Sequence, residues 1–318
     1  MTYIDVFNGD ADGLCALQQL RLAHPVDSTL ITGVKRDIAL LERVSCTAGT
    51  RVTVLDVSLD KNRAGLLNLL EAGAHVQYFD HHYHGEIPRH PHLETHLDVT
   101  SDRGTSLIVD DYLGGRFRAW AVVGTFGDNF DDQARKAGQA LHLSSEDLER
   151  LRWLGVYLNY NGYGAAVTDL HIPPDALFLR MRPYADPLEF IERDEAFKRL
   201  ESGYRNDMAR AADLSPALDG GACALYVLPA APWARRVSGV LANQLASGAP
   251  ERAHALLTQL DGGGYVVSVR APLAKRSGAD TLCRQFASGG GREAAAGINH
   301  LAEEEYDRFV EAFSAAYC

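Results

Sequence analysis

The sequence lacks any long hydrophobic run. No apolar stretch among its 318 residues approaches the ~20 residues that span a bilayer. The first residues, Met1 to Asp5, contain neither a basic segment nor an apolar core, so we expect no signal peptide. Both absences exclude a membrane partner and predict a cytoplasmic location.

Cysteine is also scarce. The chain has five cysteines, an odd number, and they are scattered along the sequence. No two of them have the spacing that is typical of a zinc site or a redox pair. This pattern favours a reducing compartment, in which disulfides do not persist.

Basic residues are outnumbered by acidic ones. The chain carries 31 Lys and Arg against 42 Asp and Glu, a net charge of −11. Because phosphate neutralisation by basic side chains dominates nucleic-acid affinity, this balance excludes a long duplex as a partner. A short phosphorylated substrate stays compatible with it, since cations bound to some of the acids would reverse the local field.

The sequence does contain acids at the ends of predicted strands. In an open parallel sheet, the carboxyl edge of the strands is where ligands bind. Carboxylates ~4 Å apart repel by roughly 4 kcal/mol at an effective dielectric near 20, and a bound cation removes that cost. Aspartate and histidine without cysteine suit Mn²⁺, Mg²⁺ or a transition-metal site with mixed nitrogen and oxygen ligands. The acids are Asp10 and Asp12 after residues 3–7, Asp56 after residues 51–55, and Asp80 after residues 76–79.

The order of apolar runs predicts two domains. The first ~130 residues alternate strand and helix patterns, and residues 144–212 read as mostly helical. Pro216 and Gly220-Gly221 indicate a linker over residues 213–222. We therefore expect a doubly wound, parallel-sheet α/β domain with a helical extension over residues 1–212, and a smaller α/β domain over residues 223–318.

Two segments of the first domain are harder to interpret. Residues 116–127 fit a helix or a strand, because short apolar runs do not decide between them. The histidine-rich segment 84–96 contains two prolines and is expected to form a solvated loop.

The acidic motifs resemble those of the DHH (Asp-His-His) phosphoesterase family, which includes RecJ-like and nanoRNase-like enzymes. An Asp-His-His triplet alone is a weak signal, but five elements in family order make the resemblance specific, and it spans nearly the whole chain. The first four elements are Asp10-Ala11-Asp12-Gly13, Asp56, Asp80-His81-His82 and segment 121–128, which ends in Asp128. The fifth is Gly289-Gly290-Gly291-Arg292 within segment 289–297, which resembles the glycine motif of the accompanying C-terminal domain.

The resemblance implies a site for two Mn²⁺ ions, with Mg²⁺ or Co²⁺ as alternatives. A water acidified by both ions would attack phosphorus in line. The implied metal ligands are Asp10 and Asp12 on different ions, Asp56 bridging both, His81, Asp128 and Asn8. Asp80 would orient a ligand and His82 would lie beside the substrate phosphate, so that Asp56, His81 and His82 are the predicted catalytic residues.

The chain departs from the family pattern on one side of this site. Val6 stands where many members carry a histidine, and Asn8 stands where RecJ-type enzymes carry an aspartate. Asn8 can still ligate through its carbonyl oxygen but brings no charge, which predicts weak binding of one ion or an added water. Lys35 and Arg36 follow the second predicted strand and either meet a phosphate or offset the acids.

The glycine motif implies a substrate-binding surface. Its backbone N–H groups could cradle a phosphate, although a glycine run is also typical of a simple turn. Arg292 stands where the family usually has histidine, and a guanidinium suits bidentate phosphate contact. With Arg270 upstream, this domain is predicted to hold the part of the substrate away from the reacting phosphate.

Three functions remain open from the sequence. The first is metal-dependent hydrolysis of phosphodiester bonds in short oligonucleotides or dinucleotides. The second is hydrolysis of pyrophosphate, polyphosphate or a nucleotide phosphate at the same centre. The third is a non-catalytic regulatory protein that binds metal or nucleotide, and a homodimer is compatible with all three.

Overall fold

The computed structural model describes residues 2–100 and 102–318, which form two compact units. The first unit ends at Gly203 and the second begins at Tyr204. The sequence-based boundary lay at residues 213–222 instead. That segment includes a short strand paired with the strand that follows it, and the helix Glu195–Ala212 runs through the division.

The first unit is built on a five-stranded parallel sheet. Its strand order is β2-β1-β3-β4-β5, and every neighbouring pair is parallel. The strands are β1 (Tyr3–Phe7), β2 (Thr29–Ile31), β3 (Arg51–Leu55), β4 (His75–Asp80) and β5 (Leu93–Leu97). The predicted doubly wound α/β sheet is therefore confirmed.

Helices flank this sheet and continue beyond it. One core cluster joins Val6, Val54 and Tyr78 of the sheet to Leu66 and Leu69, and each such buried side chain contributes roughly 1.5–3 kcal/mol. The helices are α1 (Ala11–Ala23), α2 (Leu59–Glu71), α3 (Thr105–Tyr112), α4 (Arg118–Gly127), α5 (Asp131–Gly138), α6 (Ser145–Gly162), α7 (Pro174–Met181), α8 (Pro187–Arg193) and α9 (Glu195–Ala212).

The structure assigns the two segments of the first unit that were hard to interpret from the sequence. The apolar segment 116–127 is a helix, α4, whose residues from Trp120 onwards are all buried. The expectation of a solvated loop over residues 84–96 was wrong for its last part, because β5 begins at Leu93 and pairs with β4. His96 in β5 stacks on Phe79, with ring centroids 4.4 Å apart, so part of this segment is ordered by the sheet.

The strand order places three acid-bearing strand ends side by side. The strand β2 lies on one side of β1 and β3 lies on the other side, so the direction in which strands are added reverses at β1. In open α/β sheets, the carboxyl ends of the strands at such a reversal form the ligand-binding crevice. The ends of β1, β3 and β4 therefore form one continuous edge.

The second unit contains a six-stranded mixed sheet of order β10-β11-β9-β8-β7-β6. The pair β7 and β8 is parallel and the other pairs are antiparallel. Its strands are β6 (Leu218–Asp219), β7 (Cys223–Leu228), β8 (Ala253–Gln259), β9 (Tyr265–Arg270), β10 (Gly289–Arg292) and β11 (Ala295–Leu301), and its helices are α10 (Pro232–Gly248), α11 (Ala279–Cys283) and α12 (Tyr306–Tyr317).

The two faces of this second sheet have different surroundings. Val267 and Val269 of β9 pack in the core with Phe309 and Phe313 of α12. The alternate residue Arg270 belongs to the opposite face, where it donates from Nε to Asn243 Oδ1 of α10 at 3.0 Å. The predicted smaller α/β domain is confirmed.

Two cysteines of the second unit form a disulfide. Cys223, at the start of β7, is bonded to Cys318 at the end of the chain, with Cα atoms 5.2 Å apart. The sequence spacing gave no sign of this pair, because the fold joins residues 95 positions apart. Among the described helices, none combines the length and the apolar character needed to cross a membrane.

Candidate metal centre

The carboxyl ends of β1, β3 and β4 bring the predicted acids together. Asp10 lies beyond β1, Asp56 directly follows β3, and Asp80 is the last residue of β4. All three are buried. Asp56 has a φ of 59°, a left-handed conformation in which Asp and Asn are enriched among residues other than glycine.

Helix N-termini fix two of these carboxylates. Asp10 caps α1, and its Oδ1 accepts from the backbone N–H groups of Asp12 and Gly13, each at 3.1 Å. Asp12 accepts from the N–H groups of Thr105 at 2.6 Å and Ser106 at 2.8 Å, at the start of α3. Both positions suit an anion, because the first N–H groups of a helix have no partner within it.

A glycine permits the close approach of Asp12 to α3. Gly104 precedes the helix, and a Cβ there would lie only 2.8 Å from Asp12 Oδ2. The side chain of Thr105 adds a hydrogen bond to Asp56 Oδ1 at 3.1 Å. The start of α3 thus holds both carboxylates from the same side.

The two histidines of the triplet take different positions. His81 Nε2 lies 3.4 Å from Asp56 Oδ1 and 3.7 Å from Asp128 Oδ2. His82 Nδ1 lies 2.7 Å from Asp80 Oδ1, and its side chain is 42% exposed. Asp80 therefore orients His82, whereas His81 points into the acidic cluster.

Two overlapping groups of side chains fit a metal ion. Asp12, His81 and Asp128 each offer one ligand atom within 4.8 Å of the others, and Asp56, His81 and His82 do the same. The mixed nitrogen and oxygen donors suit Mn²⁺ or a similar ion. Within the described residues, the buried Oδ1 of Asn8 and Oδ2 of Asp80 also lack a hydrogen-bond partner. The roles of these residues as ligands stay predictions.

A lysine lies among these acids. Lys35, in the segment after β2, donates from Nζ to Asp10 Oδ2 at 2.5 Å, Asp128 Oδ1 at 3.0 Å and Asn159 Oδ1 at 2.9 Å. Of the two sequence-based alternatives for Lys35, this geometry corresponds to offsetting the acids.

The crowded carboxylates have shifted pKa values. Burial, and then the charge of Asp128, raises the pKa of Asp12 to about 6, although His81 opposes this. Burial, with the charges of Asp10 and Asp12, raises the pKa of Asp56 well above its usual range. Burial would also raise the pKa of Asp10, but the Lys35 ammonium holds it below its ordinary value. Burial of several like charges is the condition that a bound cation relieves.

The basic groups respond in the opposite direction. Burial alone would lower the pKa of His81, but its hydrogen bond to Asp56 and the charges of Asp56, Asp12 and Asp128 raise it to about 10. Burial would likewise lower the pKa of Lys35, and the charges of Asp10 and Asp128 raise it well above its ordinary value. Lys35 is therefore a fixed positive charge at neutral pH.

Apart from His82, the predicted substrate residues lie in the second unit. Gly289 to Arg292 form the edge strand β10, paired with β11, and not a loop. Their role in binding phosphate stays a prediction. A Cβ at Gly291 would lie 2.5 Å from the Cα of Ala296, so close strand packing accounts for that glycine. Arg292 is exposed.

The two arginines occupy one rung of the sheet. Arg292 pairs with Ala295, and Ala295 pairs with Arg270. Residues directly opposite each other share a face, so both arginines lie on the same face with a small residue between them.

Sequence reasoning missed two residues that contact the acids. Thr105 and Ser106 were overlooked, although a Gly-Thr-Ser sequence before the apolar run 107–109 is a recognisable helix start. Asn159 is a buried residue of α6, and its contact with Lys35 has no local signal.

Comparison with known proteins supports the fold. No protein-family profile and no curated protein sequence matches this chain. It is similar to the structure of exonuclease RecJ bound to manganese, with a TM-score of 0.63 at 18% identity over 99% of this chain and 89% of that one. It is also similar to RecJ in complex with Mn²⁺ from Thermus thermophilus, with a TM-score of 0.64 at 21% identity.

That second match covers 99% of this chain but 52% of the Thermus protein, so this chain spans about half its length. An exopolyphosphatase-related protein from Bacteroides fragilis has a TM-score of 0.52 at 12% identity, with 99% and 91% of the two chains covered. At these identities the likeness shows the fold alone. The chain has a RecJ-like fold.

Proposed function

We propose that this protein is a metal-dependent phosphoesterase of the DHH family that hydrolyses phosphodiester bonds in short oligonucleotides or dinucleotides. The observation that carries the proposal is the group formed by Asp12, His81 and Asp128, whose ligand atoms lie within 4.8 Å of one another. It lies at the strand edge where doubly wound sheets bind ligands.

The structural relatives support the metal and the reaction class. Both RecJ structures are described as manganese-bound, and RecJ is described as an exonuclease. Mn²⁺ is therefore the ion that we propose, with Mg²⁺ or Co²⁺ as alternatives. When bound, such an ion would acidify a water and stabilise charge on the phosphoryl oxygens.

The side chains around the ion have separate tasks. Asp12, Asp56, His81 and Asp128 would hold it. His82 is anchored through Nδ1 by Asp80 and is partly exposed, so its Nε2 can reach a phosphoryl oxygen or the leaving group.

The second unit would hold the rest of the substrate. Arg270 and Arg292 share one face of the sheet, and each offers a planar set of donors for phosphate. Two such groups can neutralise only a few phosphates, which together with the net charge of −11 favours a short ligand.

A second candidate function is hydrolysis of polyphosphate, pyrophosphate or a nucleotide phosphate. The similarity to an exopolyphosphatase-related protein favours it, and the proposed centre has no feature that requires a nucleoside. The two candidates differ in what the arginine-bearing face would recognise.

One substrate panel separates the candidates. Metal-stripped protein would be supplied with Mn²⁺ and assayed on dinucleotides, single strands of increasing length, mononucleotides and polyphosphate, at two salt concentrations. We expect kcat/KM to peak between dimers and about pentamers, with a shallow salt dependence because few phosphates are neutralised.

The other outcomes are equally informative. Turnover of polyphosphate or pyrophosphate alone would establish the second candidate. A rise in kcat/KM with length and a steep salt slope would indicate a processive nuclease. Mn²⁺ binding without turnover of any substrate would leave the non-catalytic regulatory function.

A further inference from the structure

Lys35 uses all of its hydrogen-bonding capacity inside the acidic cluster. An ammonium has three donors, and Nζ contacts three oxygens at 2.5–3.0 Å, from Asp10, Asp128 and Asn159. Two of these three residues were expected to ligate a metal. The lysine side chain is only 24% exposed, so its charge sits within the cluster and not at its rim.

Asp10 is fully engaged by groups of this chain. Its Oδ1 accepts two backbone N–H groups, and its Oδ2 accepts from Lys35. An ion bound by Asp10 would therefore compete with a charge-assisted hydrogen bond that is already formed.

The neighbouring ligand position in this half carries no charge. Asn8 is 5% exposed, and its Nδ2 donates to the backbone oxygen of Lys35 at 3.3 Å. This half of the cluster thus contains one carboxylate, two amides and an ammonium, which is close to neutral.

The other half remains rich in negative charge. Asp128 lies between the two halves, since its Oδ1 faces Lys35 and its Oδ2 faces His81. The groups with metal-binding geometry, Asp12 with His81 and Asp128, and Asp56 with His81 and His82, all lie on the His81 side.

Electrostatics disfavours a second ion while Lys35 stays in place. A divalent ion close to an ammonium is repelled twice as strongly as a single unit charge would be at the same distance. Four carboxylates would then face one ammonium and two divalent ions, an excess of positive charge.

We propose that the ammonium of Lys35 takes the place of one of two cations, so that the centre binds a single divalent ion on the His81 side. The inference rests on the proposed metal-dependent function and specifies the composition of its site. Lys35 would act as a permanent positive group that fixes Asp10 and Asp128 for that ion.

The test is a count of bound manganese. Full-length protein is saturated with Mn²⁺, freed of excess ion by gel filtration and analysed for metal per chain, and its electron paramagnetic resonance spectrum is recorded. We expect one ion per wild-type chain and the spectrum of an isolated Mn²⁺, without the exchange coupling of a close pair.

Variants at two adjacent positions sharpen the count. Lys35→Met removes the charge and should admit a second ion with a coupled spectrum, whereas Lys35→Arg keeps the charge and should bind one. Arg36→Met is the matched control, because Arg36 is an exposed neighbour whose loss should leave the count at one. Should Lys35→Met fail to fold, as circular dichroism would show, Lys35→Gln serves as the neutral variant.

The possible failures are distinguishable. Two coupled ions in the wild-type protein would overturn the role of Lys35 and leave the proposed metal centre intact. A count of one in the folded neutral variant would also overturn it. No bound manganese in any form would overturn the metal centre itself, and the inference with it.

Discussion

The first unit buries its functional charges at the ends of strands, whereas the two candidate substrate arginines of the second unit, Arg270 and Arg292, lie along one rung of a sheet. Asp10, Asp12 and Asp56 are at most 2% exposed and are fixed by helix N-termini, a hydroxyl and Lys35. Arg292 is exposed, and its side chain makes no hydrogen bond or ion pair to other described residues.

This difference separates the groups that we expect to act in catalysis from those that we expect to bind substrate. Buried charges are costly and are tolerated only with well-placed partners, so a change at one of them alters every neighbour. Exposed charges on a sheet face interact through solvent and can be removed at little cost to folding. We therefore expect substitutions in the first unit to act on metal and turnover, and those in the second to act on substrate affinity.

The largest effect is expected for Asp56→Asn. The change removes the charge but keeps an oxygen that can accept from Thr105, and Asn tolerates the left-handed backbone of this position. We expect kcat/KM to fall by at least about 10³-fold, or ~4 kcal/mol, measured under saturating Mn²⁺.

The same variant should have the opposite effect on the metal-free fold. Because burial and neighbouring acids raise the pKa of Asp56, its ionised form destabilises the folded state at neutral pH. Asp56→Asn should thus raise the unfolding temperature of metal-free protein and abolish stabilisation by Mn²⁺. Normal activity, or unchanged stabilisation by Mn²⁺, would remove Asp56 from the site.

The next effect concerns the disulfide, which only the second unit carries among the described residues. It closes a loop across 95 positions between Cys223 and Cys318, and removing such a link costs roughly 2–4 kcal/mol. Cys318→Ser should lower the unfolding transition of the second unit in calorimetry and leave that of the first unchanged. Cys46→Ser in the first unit is the control, and equal transitions with and without reductant would contradict the expectation.

Metal affinity should depend on pH through the first unit alone. The pKa of His81 is raised to about 10, so each bound ion must displace a proton from this ring at neutral pH. The Mn²⁺ affinity should fall about tenfold for each unit of decrease from about pH 8 to pH 6. Below about pH 6 the fall should steepen, because Asp12, whose pKa is raised to about 6, also takes up a proton.

The stability of metal-free protein should also depend on the raised pKa of His81, but it should fall as pH rises. A histidine whose pKa is raised on folding contributes stability that is complete below its unfolded value of 6.5 and is lost as pH rises through about 10.

Titrations with Mn²⁺ at several pH values measure how steeply the Mn²⁺ affinity depends on pH. An affinity that ignores pH would show that His81 is not a ligand.

The two units also differ in how much of each could be predicted from the sequence. Asp10, Asp56 and the triplet could be predicted because each follows its own strand, and parallel strands end at a common edge. Lys35 could be noticed but not placed, since its partners Asp10, Asp128 and Asn159 are 25, 93 and 124 residues away. Long-range contacts of this kind leave no local pattern.

The second unit was harder to predict in its details. A run of three glycines suggests a loop, because glycine is weak in strand interiors, yet Gly291 is needed where β10 approaches Ala296. The fold, and not their spacing in the sequence, brings Cys223 and Cys318 together.

The smallest effect is expected for Arg292→Ala, and it tests the second half of the comparison directly. Arg292 is exposed on the edge strand and shares a face with Arg270, so its loss should leave folding and manganese content unchanged. If it holds a remote phosphate equally in the ground and transition states, KM should rise about tenfold, or ~1.4 kcal/mol, while kcat changes less than about twofold. Arg308→Ala is the matched control, because this exposed arginine lies on α12, which packs against the opposite face of the sheet. A fall in kcat with unchanged KM would place Arg292 at the reacting phosphate and end the separation between chemistry and capture. If kcat and KM of Arg292→Ala and of Arg308→Ala both equal those of the wild-type protein, this strand face does not bind substrate.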